Sequence, residues 1–428
     1  MGELNGKKLL LLGGIAHAME IVKAAQKMGA QVFVTDYFET SPCKQLADKG
    51  FTVSTTDVDA VVKLCKEEQV DGVITGFIDS MLPYCEKVCK AMDFPFWGTQ
   101  EQIDICINKD KFKNCCKKYG VPVTREYDLS CDGNGDLLGD LGEIQYPVIV
   151  KPVDNSGSRG IFVCEDLQEL RENYKKALGF SKSRTILVEE YVQGQHVNMY
   201  YTLCDGEIKL SAMADRYVDY LDHQSAPLPV CLVHPSRYLE EYRRETDVAV
   251  RNMFRALGME NGVAFVQGFR ANDGSFKIYE MGYRLNGGGT YSLIEACSGY
   301  NQLEMLIRYS LTGKMGNEKE FAQADAAFDE TAICYVLSVS GGAIGTIRGL
   351  DALREFPEVK NVVQVRFDGD SVTGQGGSAQ VVAYVLFVTE NTATMKDVIE
   401  RIHATVCVKD QDGNTMQMTR LGCEELPA

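Results

Sequence analysis

Long apolar runs are missing from this sequence, and nothing in it has the length of a membrane span. Its first residues also lack a basic region leading into an apolar stretch and a small-residue cleavage site, so the expected location is cytoplasmic, with no membrane partner. Positive charge is scarce: 44 Lys and Arg against 60 Asp and Glu leave a net charge of −16. That field repels polyphosphate backbones, and no basic stripe is interleaved with aromatics, so nucleic acid is not an expected partner. A local cluster of Lys and Arg can still hold a nucleotide. There is no Walker A motif, which excludes a P-loop. Zinc half-sites are missing too. Cys85 and Cys89 are helix neighbours, and Cys231 with His234 is an isolated pair. Cysteine itself is plentiful at 15 residues, but Cys43, Cys65, Cys106, Cys164, Cys204 and Cys297 are scattered, which favours buried thiols over disulfides.

What is present is ordinary globular composition, with 45% apolar and 24% charged residues in 428, enough for about three domains. Residues 1–107 read as an open parallel α/β sheet of Rossmann-like topology. The expected strands are Lys8 to Leu12, Gln31 to Thr35 and Gly72 to Thr75, and the helices Ala18 to Met28, Val61 to Gln69 and Leu82 to Met92. The Gly13-Gly14 turn lacks the third glycine of a dinucleotide fingerprint, which favours a tight structural turn. From Asn108 the pattern changes. A Lys-rich helix from Asp110 to Tyr119 ends at Gly120, an exposed loop covers Cys131 to Asp140, and β-rich segments turn at Asp205-Gly206 and Asp273-Gly274. A helical stretch from Leu293 to Leu311 closes a domain at 108–312. Residues 313–326 read as a polar linker, and 327–428, with a helix from Met395 to Ala404, as a small α+β domain.

Three segments carry chemistry. The strand opened by Pro147 delivers Lys151 into a loop holding Ser156, Gly157, Ser158, Arg159 and Gly160. An ammonium beside flexible backbone amides can hold phosphate oxygens. In the hairpin around Asp273-Gly274, a two-residue turn sets Gln267 opposite Glu280, close enough to share a cation, and alternation puts Glu280, Gly282 and Arg284 on one face. A carboxylate for Mg²⁺ beside a guanidinium suits phosphoryl transfer, whose catalysis is mainly positioning and charge neutralisation. The strand Ile186 to Val192, with Glu189 and Glu190, reads either as a solvated strand end or as the flank of an adenine.

In order, these pieces resemble the ATP-grasp superfamily: Asn108 to Lys111 with Gly120-Val-Pro122, then Pro147 to Pro152 with its loop, then Val188 to Val192. Tyr279 to Arg284 with Gly287 to Gly289 completes the set. By that resemblance the central domain is a two-lobed ATP-grasp domain in which Lys111 and Lys151 contact the ATP phosphates. The loop Asp154 to Gly160 would close over them, Glu189, Glu190 and Val192 would frame adenine, and His196 would reach the ribose. Glu280 with Gln267 would hold Mg²⁺, and Arg284 would steady an acyl phosphate. The segment Gly341 to Leu350, the Phe356-Pro357 turn and the later glycine turns are similar to the C-terminal domain of L-amino-acid (dipeptide) ligases. The implied activity is an ATP-dependent ligase that joins a small-molecule carboxylate to an amine. Arg216, His223, Arg270 and Arg284 are its candidate carboxylate contacts, although strand alternation puts Arg270 on the face opposite Gln267. A homodimer is the family-level expectation. Family members usually carry an acid where Gln267 stands and an asparagine where Gly282 stands. Those departures keep a non-catalytic nucleotide-binding module as an alternative, and His196 keeps a bicarbonate-activating enzyme as another.

Overall fold

Lys8–Leu12 is a strand whose side chains are buried on both faces, the continuous pattern expected where helices cover a parallel sheet. In the computed structural model, which describes residues 2–139, 141–154, 160–219, 228–374, 377–416, 418 and 420, it lies inside a four-stranded parallel sheet. The order is Lys49–Phe51, Gln31–Thr35, Lys8–Leu12, Gly72–Ile74. Helices Met19–Lys27, Val58–Glu68 and Leu82–Met92 accompany it. The second helix starts at Val58 rather than Val61 because the Asp57 side chain accepts the Ala60 N–H and caps it. Strand Lys49–Phe51 went unread because a Lys-Gly-Phe stretch has no apolar run. The Gly13-Gly14 turn is closed from within. The Gly14 N–H donates to Asp36 at 2.7 Å, and any side chain on Gly14 would run into Ser41.

The next unit is a four-stranded antiparallel sheet, Glu126–Tyr127, Ile186–Glu190, Val148–Pro152 and Phe162–Cys164, with helix Leu167–Leu178 packed on it. Val148, Val150, Leu170, Tyr174, Ala177 and Val188 form its core. The stretch read as an exposed loop contains a small hairpin, Ser130–Cys131 against Leu137–Leu138, anchored by the buried Leu137.

The large sheet has eight strands in the order Phe276–Gly282, Gly262–Ala271, Gly194–Cys204, Glu207–Asp219, Leu228–His234, Thr331–Ser338, Val381–Thr389, Val359–Gln364. Asp205 and Gly206, at φ 49° and 82°, make the two-residue turn their sequence demands, with Cys204 opposite Glu207. Hydrogen bonding continues from Leu228–His234 into Thr331–Ser338, with Cys231 opposite Tyr335. The sheet therefore crosses the chain division read at 312–327. That connection also holds a helix, Glu318–Gln323, whose Phe321 is buried, so it is not simply a polar linker. The helix-rich connection read from Leu293 to Leu311 is two helices, Thr290–Ser298 and Gln302–Thr312, separated at Gly299 with φ 79°. Helix Thr392–Thr405 covers the C-terminal strands beside a three-stranded sheet of Ser371–Val372, Gly342–Arg348 and Cys407–Asp410. Among the described residues every cysteine is free, and no helix is long and apolar enough to cross a membrane.

Candidate active site

Lys151 sits near the end of strand Val148–Pro152 and is buried, so its ammonium requires a compensating charge. The adjacent strand supplies it: Glu189 Oε2 lies 2.6 Å from Lys151 Nζ, and Glu189 Oε1 lies 2.5 Å from Lys113 Nζ. Thr124 Oγ1 donates to the same carboxylate at 3.0 Å and accepts from Lys113 at 2.6 Å. Burial opposes ionisation of Glu189, but the Lys151 and Lys113 ammoniums outweigh it and hold the carboxyl below its usual range. Both carboxylate oxygens of Glu189 are thus committed to lysines, which leaves its backbone for the expected adenine contact. Glu190 accepts the Arg125 N–H at 2.8 Å and lies 3.5 Å from Lys277. Val192 falls between strands Ile186–Glu190 and Gly194–Cys204, outside either ladder.

A correction concerns the first lysine. Lys111 is exposed and pairs with Asp104, whereas Lys109 is half-buried. Burial lowers the pKa of Lys109, and Glu280, Lys151, Glu189 and Asp79 lie near enough to act on its ammonium. The signal was present in the sequence: Lys109 and Lys113 are i, i+4 on helix Lys109–Lys118 and share a face, which Lys111 does not.

Gln267 does face Glu280, though not by the expected route. The turn is the three-residue loop Asn272 to Gly274, closed by the Ala271 N–H on Ser275 O at 2.8 Å, which alone would shift the pairing by one. A bulge between Gln267 and Gly268 restores it, so Gly268 faces Ile278 while Gln267 meets Glu280. Glu280 is half-buried and accepts no hydrogen bond from a described residue. Gln267 donates its amide nitrogen to Asn198 at 3.3 Å, and its carbonyl oxygen accepts no hydrogen bond from a described residue. An unclaimed carboxylate next to an amide oxygen fits one hard cation. At Gly282 a Cβ would come within 2.5 Å of the Phe265 ring, so a larger ligand residue has no room there.

Arg284 lies over Phe265, with its guanidinium 5.0 Å from the ring centroid. Its Nε donates to Asp79 at 2.7 Å, a second nitrogen reaches the other Asp79 oxygen, and a third donates to Leu285 O at 2.9 Å. Asp79 follows strand Gly72–Ile74, so the first domain reaches the cleft at the carboxyl end of its sheet.

Arg216 stands opposite His196 across the Gly194–Cys204 and Glu207–Asp219 pairing, beside the Tyr279 hydroxyl. His196 packs on Phe269 at 4.5 Å, and burial, then Arg216, lowers its pKa to about 3. Arg270 is not part of the cleft set. It is bound by both Glu241 oxygens at 2.9 and 2.6 Å, which corrects its reading as a substrate contact. Ser156, Gly157, Ser158 and His223 lie outside the described residues. The loop's flanks are anchored on one segment: Asp154 binds Ser181 Oγ and the Ser183 N–H at 2.7 Å each, and Gly160, at φ 78°, leaves no room for a Cβ against Phe180.

Sequence reasoning missed three further groups: His17, Phe77 and Arg366. His17 lies between Phe77 and Tyr384, with ring centroids 6.1 and 5.8 Å away. Burial, then Arg366 and Arg284, lowers its pKa to about 4. They come from separate parts of the chain, and no local spacing announces them.

Residues 108–316 match the carbamoyl-phosphate synthase L chain ATP-binding domain family, and residues 9–92 match the PylC-like N-terminal domain family. A formate-dependent phosphoribosylglycinamide formyltransferase of Sulfolobus acidocaldarius is 30% identical over 44% of this chain and 48% of its own length. The chain thus aligns with about half the length of that relative. An L-amino acid ligase from Bacillus licheniformis superposes with a TM-score of 0.75 at 20% identity, covering 95% of this chain and 99% of that one. The biotin carboxylase domain of the Hydrogenobacter thermophilus 2-oxoglutarate carboxylase, a dimer in complex with MgADP and bicarbonate, superposes at 0.74 with 16% identity over 96% and 92%.

Proposed function

Because the chain belongs to the ATP-grasp superfamily, we propose that it is an ATP-dependent ligase that activates a small carboxylate as its acyl phosphate and joins it to an amine, releasing ADP and phosphate. The observation that carries this reading is the convergence of Lys109, Lys151, Glu280 and Arg284 on one cleft, with Asp79 on the far side of Arg284. Lys109 and Lys151 would take oxygens of the triphosphate. Glu189 holds Lys151 in place before any ligand arrives, so no reorganisation is needed on binding. Glu280 and Gln267 would hold Mg²⁺, which when bound neutralises phosphate charge. Arg284 would face the reacting carboxylate and balance the charge that develops as its oxygen attacks the terminal phosphorus. The amine then attacks the acyl carbon, the C–O bond to phosphorus breaks, phosphate leaves with the electron pair, and the amine gives up a proton.

Water must be kept from the acyl phosphate, which is the role the loop between Asp154 and Gly160 would serve. The test is nucleotide product analysis with an array of amino-acid pairs. ADP and phosphate formed only when both a carboxylate and an amine are supplied support the reading. AMP and pyrophosphate, or hydrolysis stimulated by bicarbonate without an amine, overturn it.

A further inference from the structure

The strand Phe276–Gly282 leaves the large sheet at Tyr283 and Arg284, and there both residues are met by chain from the N-terminal region. Trp97, the only tryptophan in the sequence, is buried, and its indole N–H donates to Tyr283 O at 3.0 Å. The Tyr283 hydroxyl returns the bond to Trp97 O at 2.7 Å and also lies 2.5 Å from Asn261 O. Tyr283 is wholly buried, so this two-point clasp is shielded from water, and the low local dielectric strengthens its hydrogen bonds. Two glycines make room for it. A Cβ on Gly262 would come within 2.9 Å of the indole, and one on Gly98 within 3.0 Å of the Tyr283 ring. The main chain entering Arg284 is therefore fixed from outside its own sheet.

Asp79 fixes the side chain. Of the five N–H donors of a guanidinium, Nε donates to Asp79 Oδ1 at 2.7 Å, one Nη2 donor goes to Asp79 Oδ2, and one Nη1 donor goes to Leu285 O at 2.9 Å. Phe265 covers one face of the group, 5.0 Å away at its ring centroid. Two donors remain, one on each terminal nitrogen, and no described residue accepts from either. That is the number needed to take two oxygens of a carboxylate or phosphoryl group. Phe77, two residues before Asp79, has φ 69°, a conformation that costs energy in a bulky residue and concentrates at functional sites.

We propose that Asp79 and Trp97 are positioning residues for Arg284, neither of them touching substrate. Trp97 sets the main chain one residue upstream, and Asp79 sets the guanidinium, so its two remaining donors are in place before an oxyanion arrives. The first domain then contributes to the reaction through Arg284. This rests on the reading that Arg284 meets a phosphoryl or carboxylate oxygen in the cleft. A free arginine side chain carries rotamer freedom worth about thirtyfold in a binding constant, and Asp79 removes it in advance. Charge alone argues the other way, because a carboxylate beside Arg284 repels an incoming anion, and its loss should tighten binding. The sign of the effect therefore separates positioning from simple electrostatics.

The experiment measures binding of inorganic phosphate to the full chain with Mg²⁺ and ADP by calorimetry. The variants are Asp79→Asn, Asp79→Ala, Asp79→Glu, Arg284→Ala and the double variant Asp79→Ala with Arg284→Ala, with urea midpoints to confirm that each is folded. Asp79→Asn and Asp79→Ala should each weaken phosphate about ten- to thirtyfold, and Asp79→Glu should recover part of the loss. Against the residual affinity of Arg284→Ala, adding Asp79→Ala should change binding less than about twofold, because residues that act through one group are not additive. Trp97→Phe, which loses only the indole donor, should weaken phosphate severalfold by the same route. Tighter phosphate binding in Asp79→Ala, or equal losses with and without Arg284, overturns the proposal, as does a wild type that holds no phosphate beside ADP. An unchanged affinity in Trp97→Phe strikes Trp97 from it. Coupled losses with no ADP formed on any amino-acid pair would leave the positioning in place and sink the ligase reading. Additive losses with ADP formed would do the reverse.

Discussion

The two sheets that meet at the cleft treat charge in opposite ways. On the four-stranded sheet, Lys113, Lys151 and Glu189 neutralise one another in a closed, buried network with Thr124. On the eight-stranded sheet, Glu280 accepts no hydrogen bond from a described residue and Arg216 meets no acid. The first arrangement is completed when the chain folds. On the second, Arg270 and Arg284 are already paired with Glu241 and Asp79, and it is Glu280 and Arg216 that gain a partner only when a ligand brings the missing charges. Stability should therefore depend on the small sheet's ions, and activity on the large sheet's.

The sharpest way to break this contrast is Glu189→Ala. It leaves the buried Lys151 ammonium with no acid and Lys113 with only Glu126, at 3.3 Å, and breaking a buried ion pair costs about 3 to 5 kcal/mol, to be read as a lowered urea midpoint. A wild-type midpoint would show that the network forms only on ligand binding and would collapse the distinction. The converse variants are Glu280→Ala and Arg284→Ala. Each should lower kcat by about 10²- to 10³-fold, measured as ADP release, and Glu280→Ala should leave the urea midpoint close to wild type. A large fall in stability at Glu280 would mean that its carboxylate has a structural task after all.

Acid titration sharpens the same comparison. The Glu189 carboxyl sits below its ordinary value of 4.5, so its contribution is complete above that pH and is lost as pH falls through the lower folded value. His234, on the large sheet, is buried and its pKa is lowered to about 4 from 6.5 by that burial, with its Nδ1 3.0 Å from Ala332 O. The folded state favours the neutral ring, so its share is present above pH 6.5 and disappears as pH falls toward 4. Unfolding measured from pH 7 to 3 should decline in an upper and a lower step, with roughly 3 kcal/mol of the upper one due to His234. His234→Phe should make that upper step smaller, with His17 and His196 accounting for the remainder, and an unchanged slope would count against the assignment. A smaller effect is expected from Arg270→Ala. Its partner Glu241 is solvent-accessible, so kcat and KM should stay within about twofold of wild type. A tenfold rise in KM for either substrate would return Arg270 to the site.

The parallel sheet was legible because continuous apolar runs such as Lys8–Leu12 and capped helices are local signals. The Lys151 strand and the Glu280 hairpin were legible for the same reason. What stayed hidden is long-range. The large sheet passes from Leu228–His234 into Thr331–Ser338 across a connection that reads as a linker, and no periodicity reveals which distant strand will pair. The Gln267–Glu280 pairing was reached through two offsetting errors, a loop one residue too short and an unseen bulge. Bulges follow from sheet twist and packing, which a turn dipeptide does not encode. His17 and Tyr384 come together only through tertiary packing, so that contact could not have been found from either neighbourhood alone.

The lysines of helix Lys109–Lys118 give the smallest expected effect and the finest test. Lys111 was the natural choice by motif, but successive helical residues turn about 100°, so Lys111 and Lys109 point to nearly opposite sides. Lys109 feels Glu280, Lys151 and Glu189, while Lys111 is exposed and held by Asp104. An exposed ion pair of that kind contributes little, so Lys111→Ala should leave both the urea midpoint and KM for ATP at wild-type values. Lys109→Ala should raise KM for ATP, because a phosphate oxygen loses its cation while the Glu189 network on the same helix face stays whole through Lys113. If Lys111→Ala raised KM for ATP and Lys109→Ala did not, the helix would have to present its other face to the cleft. The contrast between a pre-neutralised small sheet and a ligand-completed large one would then have been drawn on the wrong residues.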